Sequence, residues 1–271
     1  TAGRLLRAQE ISALAEMGCH QVVVRPRPRI AVLATGDELV TVDQTPGPGQ
    51  IRNSNESMLV AQIRQAGGEP VPLGIARDNR EDLRRAIQEG LKCDMLLLSG
   101  GVSAGKLDLV PSELEHAGVE QVFHKVHVKP GKPIWFGVRN GSKSGRQDAG
   151  SGGSTCRVFG LPGNPVSSMV CFELFVRTAI RCLTGISPAF PPEINAFLEQ
   201  SVTHRGDRTT YFPAVIDFPS STAGGNGPVA KLMNWHGSSD LQSTVDANGM
   251  VVFPAEPTEY AAGDAVKVVL W

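Results

Sequence analysis

The sequence predicts an α/β unit built on a mostly parallel sheet, followed by a small all-β, barrel-like unit. Three observations carry this. From Arg29 onward, short apolar runs alternate with amphipathic helical patterns, the signature of strands joined by crossover helices. After Ser187 and Pro188 the helical periodicity stops, and short β-rich pieces punctuated by Gly and Pro replace it. The length of 271 residues, with 41% hydrophobic and 20% charged, is enough for two cores.

Each element has a local reason. Leu5, Leu6, Ile11, Leu14 and Ala15 fall on one helical face, and Gly18 stops that lead-in helix before the β-rich Gln21 to Val24. Arg25 to Arg29 alternates arginine with proline, an extended and solvated connector. Ile30 to Ala34 is a strand, and Ser57 to Ala66 a helix closed by Gly67 and Gly68. Val71 to Ile75 is a poorer strand, placed at a sheet edge because Pro70 and Pro72 each lack a donor. Asp78 and Glu81 have capping-box spacing and open a helix to about Glu89, with Met95 to Leu98 a buried strand after it. Val119 to Val128, Ile134 to Val138 and Arg157 to Phe159 are further strands, the last preceded by a Gly/Ser-rich loop over 141–155. Pro165 sits at a first helical position, and the apolar helix it opens ends at Gly185. Five β-rich pieces follow: Phe197 to Val202, Tyr211 to Phe218, Val229 to Trp235, Met250 to Phe253 and Ala265 to Leu270. The expected division is a lead-in helix and linker over 1–26, the α/β unit over 27–186 and the β unit over 187–271.

Composition narrows the function classes. Twenty-six basic residues against 27 acidic ones give a formal net charge of -1, so no overall field draws the chain to nucleic acid or to a membrane surface. Any anionic ligand must be held by local groups. No apolar run approaches the roughly 18 residues of a membrane span, and no signal-peptide core is present. The five cysteines form no C-x-x-C pair, which suits a reducing, cytoplasmic setting. The start on threonine, entering at once on a helical pattern, reads as a piece whose upstream sequence has been removed.

Four Gly- or Pro-containing segments follow strands of the first unit, where open α/β sheets place ligand loops. In Thr35-Gly36-Asp37-Glu38-Leu39 a glycine allows a sharp turn that presents adjacent carboxylates, suited to a hard cation or a proton transfer, or simply to solvent. Gln50 to Asn55 adds polar side chains downstream, with Asn53 or Asn55 equally readable as a helix cap. Ser99-Gly100-Gly101-Val102-Ser103-Ala104-Gly105, ending at Asp108, offers backbone N–H groups and hydroxyls to an anion. It is not a Walker loop, because Lys106 lacks the required glycine spacing and a following Ser or Thr. Lys129-Pro130-Gly131-Lys132-Pro133, with Lys125 before it, clusters positive charge on a stiff segment. Leu161-Pro162-Gly163-Asn164-Pro165-Val166-Ser167-Ser168 is a strand-to-helix turn in which Asn164 caps and the helix N-terminus can hold an anion. His124 and His127 receive no role, and no Ser/His/Asp set stands out.

Taken in order, T-G-D-E-L, S-G-G-V-S-x-G-x-x-D, K-P-G-K-P and L-P-G-N-P-V-S resemble the MoeA family, with the gephyrin and plant Cnx1 E-domains. The resemblance covers nearly the whole chain, more loosely at its end, and family members carry additional N-terminal domains. It implies a three-layer, MogA-like molybdopterin-binding domain followed by a small β barrel-like domain. The activity implied is insertion of molybdate into adenylyl-molybdopterin, with Mg²⁺ and release of AMP, to give molybdenum cofactor. Two alternatives share the fold: a MogA-type molybdopterin adenylyltransferase and a gephyrin-like scaffold module. The family further implies a homodimer and a molybdopterin adenylyltransferase as partner. Carried over by motif, Asp37, Glu38, Asp78 and Asp108 form the acidic catalytic set, with Glu38 and Asp108 as metal ligands. Lys129, Lys132 and Ser167 face molybdate with Arg208 and Ser238 or Ser239. Ser99, Gly100, Gly101 and Ser103 hold the pterin phosphate end, and Thr35, Lys125, Pro162 and Asn164 complete the binding set. Two departures remove negative charge: Lys106-Leu107 stands where an acidic residue commonly precedes the motif aspartate, and Asn79 where a second aspartate is common.

Overall fold

A computed structural model describes residues 3–102, 109–141, 155–218 and 227–271. The chain opens with α1 (Ala8–Glu16), where the Glu10 carboxylate accepts from the Arg7 amide at 3.0 Å. None of its residues is buried, and Ile11 is exposed, so the predicted apolar face stays largely in solvent. The arginine-proline connector is not simply solvated. The Arg25 guanidinium donates to the Leu183 carbonyl at 3.3 Å, and Arg29 already begins the first strand.

The first unit runs β1 (Arg29–Thr35), β2 (Leu39–Val40), β3 (Ile51–Arg52), α2 (Ser54–Gln65), β4 (Glu69–Ala76), α3 (Arg80–Gly90), β5 (Met95–Ser99) and α4 (Leu109–His116). It continues with β6 (Glu120–His124), β7 (Val128–Lys129), β8 (Trp135–Arg139), β9 (Cys156–Leu161) and α5 (Pro165–Cys171). A π-helical turn over Phe172–Val176 joins α5 to α6 (Arg177–Thr184). The sheet order is β4-β1-β5-β9-β8-β6. Its first four strands are parallel, β8 runs antiparallel to β9, and β6 antiparallel to β8. β4 lies at the edge, as its two prolines require.

Helices cover both faces because successive strand residues point to opposite sides. Ala31, Leu33, Leu96 and Leu98 pack with Leu83 and Ile87 of α3 and Leu114 of α4. Ile30, Val32, Met95 and Leu97 pack on the other side with Leu59 and Ile63 of α2 and with Phe172 and Ile180. The result is a three-layer unit with strand ends β1, β5 and β9 side by side.

Among the predicted boundaries that change, two bear on the site. The helix after β4 is capped by Asn79, whose side chain accepts from the Asp82 amide at 2.9 Å, and not by Asp78 with Glu81. Asp78 stays outside the helix and is free to face elsewhere. The single strand predicted over Val119 to Val128 is broken, because Lys125 adopts φ 71°, a left-handed conformation that turns the chain out of the sheet.

That turn sends β7 to the second unit. There β10 (Glu193–Leu198), β11 (Val202–His204), β12 (Thr209–Asp217), β13 (Val229–Leu232), β14 (Gly249–Phe253), β15 (Thr258–Tyr260) and β16 (Ala265–Leu270) follow one another. Five of these close into a barrel in the order β13-β10-β16-β14-β12, with β12 returning to β13, and β7 adds to β12 in parallel. β11 and β15 form a separate pair. Ala196, Ala214, Val251, Phe253 and Val268 fill the barrel. Val166 and Val170 of α5 pack on Met250 and Val269, so an apolar contact seats the helix against the barrel.

The cysteines yield a direct test of this packing. Cys93, Cys156 and Cys171 are buried, while Cys19 and Cys182 are exposed. Burial pushes the Cys156 thiol up to about 12 and raises Cys171 further. Titration with a disulfide reagent at neutral pH is expected to label two thiols quickly and the remaining three only after denaturation. Fast labelling of a third would contradict the packing.

Candidate active site

One cleft of about 1280 Å³ lies at the carboxyl ends of β1, β5 and β9. All four glycine- or proline-bearing segments contribute to it: Thr35, Gly36, Glu38 and Leu39; Ser99 to Val102; Pro133; and Pro162 to Pro165. Asp78, Asn55, Arg52 and Ser239 also line it.

The acidic turn is built by backbone constraints. Gly36 adopts φ 147°, and an added Cβ would lie 2.5 Å from Glu38 Oε2, so the Glu38 carboxylate folds back over the glycine. Arg77 holds the turn, donating to the Asp37 carbonyl at 3.0 Å and the Leu39 carbonyl at 3.2 Å. Asp37 Oδ1 accepts from the Asp78 amide at 3.1 Å. Asp37 therefore acts as a bracket that fixes Asp78, while Glu38 and Asp78 are the carboxylates on the cleft wall.

The glycine loop is set by close approach. Gly100 adopts φ 93° and Gly101 φ 64°. A Cβ on Gly100 would lie 2.8 Å from the Thr35 carbonyl oxygen, so only glycine lets β1 and β5 end this close together. Ser103 and Asp108 lie outside the described residues, as do Lys106 and Leu107.

At the third turn, Asn164 occupies the N-cap position of α5 with Pro165 at the first helical position, but its side chain does not cap. Asn164 Nδ2 instead donates to Ser238 Oγ at 2.9 Å, and the Val166 amide donates to the Ser238 carbonyl at 3.0 Å. These two bonds clamp the barrel loop onto the turn. They also use a helix N-terminal donor that sequence reasoning left open to an anion. Ser167 is buried, and its carbonyl lies 3.7 Å from where a Gly131 Cβ would sit.

Lys125, Lys129 and Lys132 are exposed and do not line the cleft; their segment reaches it through Pro133. Lys129 pairs in register with Thr210, and Val128 with Thr209, which places the lysine segment beside Arg208. Arg208 Nε donates to Asp207 at 3.2 Å. The structure thus groups Glu38, Asp78, Thr35, Ser99, Gly100, Gly101, Pro162, Asn164 and Ser239 around the cleft. It groups Lys129 with Arg208 on the flank. Sequence reasoning missed Arg77 and the true position of Asn55. No spacing signals them, because their contacts come from folding rather than from neighbouring residues.

A family model described as "Probable molybdopterin binding domain" matches residues 31–182, and one described as "MoeA C-terminal region (domain IV)" matches residues 195–271. A protein named molybdopterin molybdenumtransferase from Nostoc sp. is 34% identical over 271 residues, covering 97% of this chain and 58% of that protein. One of the same name from Bacillus subtilis is 32% identical over 260 residues, covering 95% of this chain and 56% of that protein. The crystal structure of a molybdopterin biosynthesis moeA protein from Pyrococcus horikosii matches with a TM-score of 0.79 and 29% identity, covering 100% of this chain and 61% of that one. The chain spans about three fifths of the length of the relatives it matches. With a family model matched across its whole α/β unit and a second across its barrel, the chain belongs to the family of probable molybdopterin binding domains, in the arrangement that ends in a MoeA C-terminal region.

Proposed function

We propose that this chain carries the catalytic units of a molybdopterin molybdenumtransferase, inserting molybdate into adenylyl-molybdopterin with release of AMP to give molybdenum cofactor. The observation that supports it most is the single cleft to which all four motif segments contribute, with two carboxylates and a glycine loop among its lining residues. In this reading the molybdopterin-binding domain is 27–186, the barrel 187–271 and the lead-in 1–26.

The bond to be broken joins the AMP phosphate to the pterin phosphate. Glu38 and Asp78 present hard oxygen donors, and no thiolate or imidazole lines the cleft, so the donor chemistry fits Mg²⁺. Among the described residues no three His, Cys, Asp or Glu side chains cluster to hold a metal. Glu38 and Asp78 would hold Mg²⁺, with Asp108 joining them as the resemblance implies. Bound there, Mg²⁺ would neutralise charge on the departing phosphate. The Gly100 and Gly101 amides and the Ser99 hydroxyl would orient the phosphate end of the pterin. Lys129, Lys132 and Arg208, on the flank, would draw molybdate toward the cleft, with Lys125 adding to that field and Ser167, Ser238 and Ser239 beside its path. The reading includes a homodimer, a cytoplasmic setting suited to free thiols, and supply of substrate by a molybdopterin adenylyltransferase.

Incubating the chain with adenylyl-molybdopterin, molybdate and Mg²⁺ is expected to release AMP and to consume no ATP. Unchanged substrate overturns the proposal. Consumption of ATP with molybdopterin identifies an adenylyltransferase instead.

A further inference from the structure

Asn55 sits in the first turn of α2, yet its side chain serves two other elements. Its Nδ2 donates to Ser99 Oγ at 2.8 Å, at the end of β5, and to the Gly163 carbonyl at 2.8 Å, in the turn after β9. Asn55, Ser99 and Gly163 all line the cleft. The Gly163 carbonyl can only accept, so it fixes which end of the amide is nitrogen. Ser99 Oγ must then act as an acceptor toward Asn55, and no described group accepts its own hydrogen. Ser99 is 3% exposed, so its hydrogen has the protein or a cleft ligand as partner, not bulk water. Asn55 Oδ1 and Thr35 Oγ1, in the same corner, are buried with no partner among the described residues. A corner with this much unfilled hydrogen-bonding capacity is costly unless something completes it.

We propose that Asn55 is a positioning residue: by occupying an acceptor site of Ser99, it turns the serine hydroxyl into a dedicated donor toward a phosphate oxygen in the cleft. The ligand class is a phosphate monoester or anhydride. The inference rests on the proposed reading for the identity of that ligand, while the geometry stands independently of turnover. A mere tether between α2 and the two loops would weaken binding whether or not residue 99 carries a hydroxyl. A positioning role acts only through that hydroxyl.

The test is a double-mutant cycle on affinity for molybdopterin, whose phosphate is a monoester, read by calorimetry with the full chain in Mg²⁺. Asn55→Ala in the Ser99 background is expected to lower molybdopterin affinity about tenfold, and in the Ser99→Ala background less than about twofold. Should Asn55→Ala fail to fold, Asn55→Asp retains the shape. Its carboxylate would accept the Ser99 hydrogen and reverse the donor, so the same cycle is expected to show coupling in the same direction. Equal losses in both backgrounds overturn the positioning role, even if the chain still releases AMP from adenylyl-molybdopterin. A wild-type chain that takes up no molybdopterin also overturns it. Loss of turnover with coupling preserved overturns only the proposed reaction.

Discussion

Replacing Glu38 with glutamine is expected to slow AMP release from adenylyl-molybdopterin by about 10²- to 10³-fold, while the melting temperature stays within about 1 °C of wild type. Glu38 is exposed, and its side chain makes no ion pair or hydrogen bond among the described residues, only its carbonyl accepting from the Ile51 amide at 2.8 Å. Glutamine has the same shape and fits the same fold-back over Gly36, so nothing structural is removed. The charge is, and among the described residues that line the cleft it is matched only by Asp78. Stopped assays of AMP release beside thermal melts would check both halves. Turnover within tenfold of wild type would remove Glu38 from the catalytic set.

Gly100→Ala is expected to have the largest effect on stability, about 2–4 kcal/mol, with the melting temperature falling by roughly 5–12 °C. Two independent costs combine. The residue's φ of 93° is strained for any L side chain, and the new methyl would lie 2.8 Å from the Thr35 carbonyl oxygen. That oxygen belongs to backbone and cannot rotate away. Ala34 and Ser99 are in register across β1 and β5, so relief would require the two strands to separate. Gly163 supplies the control: a Cβ there would meet Gly100 Cα at 3.7 Å, an ordinary contact. Gly163→Ala is therefore expected to cost less than about 1 kcal/mol. Equal stability of the Gly100 variant and wild type by calorimetric melting would overturn the argument.

The sequence announced most of the architecture because the relevant signals are local. Two prolines in one short apolar run mark an edge strand whatever surrounds it, and β4 lies at an edge. Continuous apolar runs mark strands buried on both faces, as Met95 to Ser99 is. Other features had no local signal. Nothing in composition shows that Lys125 would turn left-handed and divide one strand into two. Asp78 and Asn79 are both good caps, and the choice between them was settled when Asp37 took the Asp78 amide from 41 residues away. Asn55 is an ordinary first-turn residue until β5 and β9 arrive beside it. The motifs named the loops that meet, whereas which atoms satisfy one another is a property of the assembled sheet.

The pairing of β7 with β12 has a consequence for dissecting the molecule. A fragment beginning after α6 would contain every strand that closes the barrel, yet it would lose the ladder partner supplied from residues 128 and 129. The rim of β12 at Thr209 and Thr210 would then present unpaired amides and carbonyls, an invitation to stick to another copy. The sequential order of the two modules conceals this dependence. The second is completed by a tongue from the first, so the sound cutting points are those that keep both together.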